Sequence, residues 1–333
     1  MKVVHALPLP GWRWWLIALA VAVAVSIAMP VFGQTITGGK NWNLTGSSVQ
    51  RLAFDAGNVA WSKPYENRVI SLNGASNTYT VWTHGNTSIL GPNNYGSAVP
   101  TGTFVWATAE SIGHFNRLNT ADGQLLSWQL PAGLICGRKN LAVDSTGAAF
   151  AGTNGQKIAK VDPVANTITE WPLPTAGSYC PTVFAVEGSG ASQKVWFCEA
   201  AIDKIGFLAP DSGSVTEWEI SGNNFNDCSS LDASGRVWFS RTSTEILKLA
   251  PATNELTIYP LPLGYATVQG VSPEVTGRVW FATSSQIKSF APATGQFVDY
   301  TGTSCSPDSL FIDGAGNVWT TTQGTTVCRF PAP

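Results

Sequence analysis

From residue 61 onward an aromatic side chain, preceded each time by a small or branched residue, returns every forty-odd positions. The series is Trp61, Trp106, Phe150, Trp196, Trp238, Trp280 and Trp319, at intervals of 45, 44, 46, 42, 42 and 39. A second aromatic follows within each unit: Trp82, Trp128, Trp171, Trp218, Tyr259 and Tyr300, with lags of 21, 22, 21, 22, 21 and 20. Two series keeping step over six units define a repeat. A unit of this length cannot bury an apolar face alone, so neighbours must stack, and a period of 40–50 residues is that of a four-stranded propeller blade.

The turns divide each unit into strands. In 230–262 the turn Asp232-Ala-Ser-Gly235 joins a strand ending near Ser230–Asp232 to a second over Arg236–Ser240. Asp accepts backbone N–H bonds there, and Gly takes the positive φ. A third strand over Ile246–Ala250 turns at Pro251-Ala-Thr-Asn254 into a fourth over Glu255–Tyr259. The same turn chemistry recurs at Asp144…Gly147, Asp313…Gly316, Pro210…Gly213 and Pro292…Gly295. These aspartates resemble a catalytic series, but the Asp–Gly spacing is what a hairpin requires.

The expected fold is therefore all-β, a seven-bladed propeller of four-stranded antiparallel blades. The chain ends at Pro333, too soon after Trp319 for a fourth strand in the last unit. Trp42 stands forty residues before Trp82, at blade spacing. The segment around Trp42 is expected to join the last blade near Val327–Phe330, closing the ring and leaving no exposed edge at the seam.

Residues 1–33 read as an export signal. Lys2 and Arg13 precede the apolar run Trp14–Ala28, and Val31-Phe-Gly33 ends in small or branched residues, placing cleavage before Gln34. The propeller then occupies 34–333 as one domain. The run is short for an uncleaved anchor, the one route by which a membrane enters this reading. Six cysteines lie beyond the signal: Cys136, Cys180, Cys198, Cys228, Cys305 and Cys328. An even count in an exported chain points to disulfides. The repeat places all six near one face, where Cys305–Cys328 would lock the last blade and Cys180–Cys198 or Cys198–Cys228 would staple the fourth unit. Only 12% of residues are charged and the net charge is −2, so no basic surface points to nucleic acid.

The motif Val195-Trp-Phe-Cys-Glu199, then Lys204-Ile-Gly206, Pro210 and Val215-Thr-Glu-Trp218, is similar to the repeat of the streptogramin B lyases, the virginiamycin B lyase family. Ile168-Thr-Glu-Trp-Pro-Leu-Pro174 and Leu256-Thr-Ile-Tyr-Pro-Leu-Pro262 match the end of that repeat. The resemblance covers about residues 49–333 and is strongest over 140–300. It implies a seven-bladed propeller that opens a cyclic depsipeptide ester by elimination with Mg²⁺. It also implies a His at the start of an innermost strand and a Glu ending a W-F-x-E second strand.

This sequence departs from those positions. Its histidines are His5, His84 and His114, and the innermost-strand starts read Cys136-Gly-Arg, Tyr179-Cys-Pro, Asp227-Cys-Ser, Gly264-Tyr-Ala and Ser304-Cys-Ser. Glu199 keeps the W-F-x-E glutamate, and Glu110 falls one residue late in its unit. An elimination needs a base for the α proton and an acid or metal for the developing charge. One carboxylate is a poor start for a Mg²⁺ site.

The expected function is an exported binding module, periplasmic or extracellular in a bacterium, monomeric and without a cofactor. Its partner is a polar small molecule, a glycan or a protein. The alternative is a divergent lyase or hydrolase using Glu199, with Mg²⁺ only in that case. The loop-rich face offers Glu110, Arg138, Tyr179, Glu199, Arg241 and Tyr265 as candidate ligand-binding groups, beside Lys63, Tyr65, Glu66 and Glu245. His84 and His114 have no carboxylate or cysteine at metal-ligand spacing and read as exposed or structural.

Overall fold

The computed structural model describes residues 2–5, 31–35, 39–44, 48–49, 51–64, 67–83, 96–109, 112–136, 140–175, 177, 180–220, 225–241, 245–262, 265, 267–301, 305–322 and 324–331. They form seven sheets in a ring, each built on four antiparallel strands, which in the first six blades follow chain order from the axis outward; the fifth and sixth sheets each gain one further, parallel strand at the outer edge. The first six blades occupy 53–83, 96–129, 142–172, 182–219, 225–260 and 268–301. In the fifth, the strands run Phe225–Leu231, Val237–Arg241, Glu245–Ala250 and Glu255–Pro260, within a residue or so of the boundaries set by the turns.

The seventh blade takes three strands from the C-terminal end and its outermost, Lys40–Asn43, from near the start of the chain. That strand pairs antiparallel with Thr326–Phe330, Trp42 opposite Val327, as the blade spacing requires. Trp42 stacks on Trp319 at 5.5 Å and donates its indole N–H to Asn77 Oδ1 of blade 1 at 2.7 Å. The closing strand thus joins the first and last blades through both backbone and side chain.

No blade has a core of its own. Each of seven apolar clusters draws on two adjacent blades: Trp196 and Ile205 of the fourth meet Phe239 and Leu247 of the fifth, and Trp280 and Tyr300 of the sixth meet Val318 and Phe330 of the seventh. The first-series aromatics fill these interfaces. Trp106, Phe150, Trp196, Trp238 and Trp319 are fully buried. At 150–250 Å² per ring, each contributes roughly 4–6 kcal/mol of transfer free energy as an upper figure.

The Asp–Gly turns serve a second purpose. Asp232 Oδ1 accepts the N–H groups of Ser234 and Arg236, while Oδ2 accepts the indole N–H of Trp238 at 2.8 Å. Asp313 does the same for Trp319, and Asp55 for Trp61. The carboxylates are turn and packing groups, spent on local hydrogen bonds. Burial opposes the charge of Asp232, but these bonds from Trp238 and the turn backbone hold its carboxyl below the usual range. In blade 3, where Phe150 has no N–H to give, Asp144 Oδ2 instead accepts Gln193 Nε2 of blade 4.

The hairpin asparagines form a further set of clasps. Asn77, Asn166 and Asn254 adopt left-handed φ of 62°, 55° and 53° at the outer turns. Their side-chain oxygens accept the indole N–H of Trp42, Trp128 and Trp218, each on the preceding blade. Asn254→Ala loses the conformational tolerance and the clasp, and is expected to cost about 2 kcal/mol in urea unfolding; Asn254→Gly loses the bond alone and costs about 1 kcal/mol.

Two disulfides are described, Cys136–Cys180 with Cα atoms 5.3 Å apart and Cys305–Cys328 at 6.6 Å. The second is the expected lock on the last blade. The first corrects the alternative that paired Cys180 with Cys198: Cys180 and Cys136 stand at equivalent places on neighbouring blades, and adjacent innermost-strand starts lie within bridging reach. Cys198 is also disulfide-bonded. The side chain of Cys228 lies outside the described residues. Loop-closure entropy predicts a loss of about 3 kcal/mol for Cys305→Ser with Cys328→Ser and about 4 kcal/mol for Cys136→Ser with Cys180→Ser, measured by denaturant titration.

Candidate functional site

Second strands end, and innermost strands begin, on one face of the ring. Three residues beyond the first-series aromatics, at or just past the ends of the second strands, stand Pro64, Ala109, Thr153, Glu199, Arg241, Thr283 and Thr322. Glu199 ends Lys194–Glu199 and is fully buried. A single 3₁₀ turn over Ala200–Ile202 and a left-handed Asp203 then return the chain to the third strand.

Arg241 closes its own loop. Its Nε and Nη2 both donate to Glu245 Oε2, at 2.9 and 2.6 Å, so two nominated groups neutralise each other. Tyr265 donates its hydroxyl to Asp299 Oδ1 at 2.6 Å, on the outermost strand of blade 6, and packs against Phe281 and Phe297. Lys288 lies 3.8 Å from the Tyr265 ring centre and 2.8 Å from Asp299. Burial, then the bond to Asp299, pushes the phenol well above its ordinary range. Tyr265 is therefore bonded to the outermost strand of blade 6. His114 Nδ1 is 3.1 Å from Ser127 Oγ on the adjoining outer strand, and partial burial lowers its pKa. Tyr65, Glu66, His84, Glu110, Arg138 and Tyr179 lie outside the described residues.

Three groups at this face were not singled out in the sequence. Asn140 is fully buried and donates to Cys136 O and to Gly152 O, while its side-chain oxygen accepts the N–H of Gly152 at 2.7 Å and of Val183 at 2.8 Å. One amide thus ties the segment leading into blade 3 and its second strand to the first strand of blade 4. Gly152 is what lets them meet, since a Cβ there would stand 1.9 Å from Pro181 O. Arg51 precedes the innermost strand of blade 1. Its guanidinium donates to Ser97 Oγ on the innermost strand of blade 2 and to Leu141 O beside that of blade 3, both at 3.2 Å. Its only signal in the sequence was a lone charge just before the first innermost strand.

The resemblance implies Mg²⁺, and the donors among the described residues do not suit it. Among the described residues no group of three or more His, Cys, Asp or Glu is placed to hold a metal ion. Of the seven strand ends, Glu199 alone carries a carboxylate. The starts that would carry histidines are occupied by the bridged Cys136, Cys180 and Cys305.

A profile of the virginiamycin B lyase family matches residues 85–330. The chain belongs to the virginiamycin B lyase family. Solved structures agree on the fold. A streptogramin B lyase superposes with a TM-score of 0.71 at 18% identity, over 88% of this chain and 96% of that one. Virginiamycin B lyase from Staphylococcus aureus gives 0.69 at 18%, over 89% and 99%. The U3-55K structure gives 0.69 at 10%, over 88% and 98%. At such identities the likeness carries the architecture alone. No curated protein sequence matches the chain.

Lys63 holds the remaining charge of note at this face. It is 1% exposed, donates to Pro64 O at 3.1 Å, and burial lowers its pKa to about 7. The folded protein therefore binds fewer protons than the unfolded chain between pH 7 and about 10, and stability rises with pH over that interval. Lys63→Met is expected to flatten this rise and to stabilise the protein at pH 6, as read by urea midpoints at a series of pH values.

Proposed function

We propose that this member of the virginiamycin B lyase family is an exported binding module whose loop-rich face receives a polar small molecule, a glycan or a protein. The carrying observation is the composition of the seven strand ends: one carboxylate, at Glu199, and a cationic Arg241 paired with Glu245. Elimination from an ester requires a base and a positive centre facing the carbonyl oxygen. Cysteines, glycine, alanine and hydroxyl residues occupy, in this chain, the positions where the family pattern has histidines and carboxylates to supply these groups.

Export is supported by the disulfides, which persist in oxidising compartments, and by the charge–apolar–small order of residues 1–33. No helix among the described residues is long and apolar enough to cross a membrane. Full burial of Glu199 at the family's W-F-x-E position favours a second reading, a divergent lyase or hydrolase.

The two readings separate in one assay. The binding module neither takes up Mg²⁺ in calorimetry nor opens a streptogramin B-type cyclic depsipeptide. Ring opening that requires Mg²⁺ and is lost in Glu199→Gln would sink it. The export reading predicts an intact mass lacking residues 1–33.

A further inference from the structure

The second-series aromatics stand at the outer rim, and the outer hairpin turn of the next blade decides what flanks them. Where that turn ends in asparagine, in blades 1, 3 and 5, its side chain clasps the indole of Trp42, Trp128 or Trp218. Where it ends in Gly123, Gly213 or Gly295, in blades 2, 4 and 6, there is no side chain to clasp. The residue after the aromatic follows the same division. It is Asn43, Gln129 or Glu219 beside a clasp, and Thr83, Pro172 or Pro260 beside a glycine. A long amide or carboxylate side chain thus accompanies each clasped indole.

An indole N–H can only donate, so each clasp fixes its asparagine with the oxygen toward the ring and Nδ2 away from it. The three copies differ in what remains open. At the seam Trp42 is buried and Asn43 accepts the hydroxyl of Thr325. At Trp128 the Arg117 guanidinium already lies 5.7 Å from the ring centre. Trp218 is half-buried, stacked on Trp196 at 6.0 Å, and has no cation over its ring among the described residues. With Glu217, Glu219, Pro251 and Asn254 it lines a groove of about 520 Å³ between blades 4 and 5. Glu217 is committed, since its Oε2 accepts Lys204 Nζ at 2.8 Å and the hydroxyl of Thr175. Glu219 is exposed and its carboxylate has no partner among the described residues. The groove therefore offers an indole, an oriented amide donor and a carboxylate acceptor, with one uncompensated negative charge.

We propose that this groove binds carbohydrate, specifically a β-linked pyranose of gluco configuration. Such a ring carries its substituents equatorially, which leaves an apolar C–H face to lie against the indole. A hydroxyl both donates and accepts, so neighbouring hydroxyls answer Glu219 and Asn254 Nδ2 together. Glu219 repels an anion, and an organic cation would leave the Asn254 donor unanswered. The volume falls within the roughly 300–1,000 Å³ of small-molecule sites. The site uses none of the strand ends of the loop-rich face and stands whichever reading of that face holds.

Saturation-transfer NMR on the full protein tests the site, with cellobiose and N,N′-diacetylchitobiose as the probes. Transfer to the ring C–H protons of at least one of them is expected, and the one that binds tells a hydroxyl sugar from an acetamido sugar. Asn254→Gly keeps the turn, because glycine holds that place in blades 2, 4 and 6. Asn254→Gly and Glu219→Ala each remove one hydrogen bond to the sugar and are expected to weaken binding by about fivefold. Asn166→Gly loses the same kind of clasp elsewhere and is expected to leave binding unchanged. If Asn254→Gly does not fold, Glu219→Ala decides, since that side chain is exposed. Absence of transfer to both sugars overturns the proposal. So does binding that Asn166→Gly weakens as much as Asn254→Gly, or that survives both groove substitutions, which would move the sugar to the loop-rich face.

Discussion

The structure depends on one short backbone pairing, Lys40–Asn43 against Thr326–Phe330. A ring of blades whose cores lie between neighbours has no stable partial form: omit the closing contact and the first and last blades each lose an apolar face. The closing strand therefore secures the seventh interface as well as its own sheet edge. Trp42 carries the side-chain part of that task, held between Trp319 of its own blade and Asn77 of the next. Cys305–Cys328 reinforces the same seam covalently, with Cys328 directly opposite Asn41 of the closing strand.

The closed ring brings the repeat's equivalent positions to one mouth, and their composition sets what the mouth can do. In this chain several of them brace neighbouring strands. Cys136 and Cys180 link adjacent strand starts, Asn140 bonds backbone groups of Cys136 and of strands in blades 3 and 4, and Gly152 admits Pro181 without a side chain between them. These ties fix the strand starts of blades 3 and 4 relative to one another.

Most of the architecture was legible in the residues alone. The aromatic series, the turn residues and the forty-residue spacing of Trp42 and Trp82 located the blades and the seam, because burial and φ preference act on residue types at fixed intervals. The Asp–Gly turns were read as turn chemistry, and Asp232 and Asp313 are used that way. The site was less legible. The hydroxyl of Tyr265 is bonded to Asp299 of blade 6, a partner that its place near a strand start did not disclose. Arg51, an ordinary charge in the sequence, reaches two blades onward.

The sequence by itself determined the number of blades, their strand grammar and the way the ring closes, since each follows from a period that the chain repeats. The tertiary structure alone decided which cysteines bridge, which asparagines clasp a neighbouring tryptophan and where the face residues point. Those outcomes depend on distances between blades some forty residues apart, and such distances exist only once the ring has closed. Periodicity encodes what every blade shares; the differences among blades acquire meaning from the neighbour each one meets.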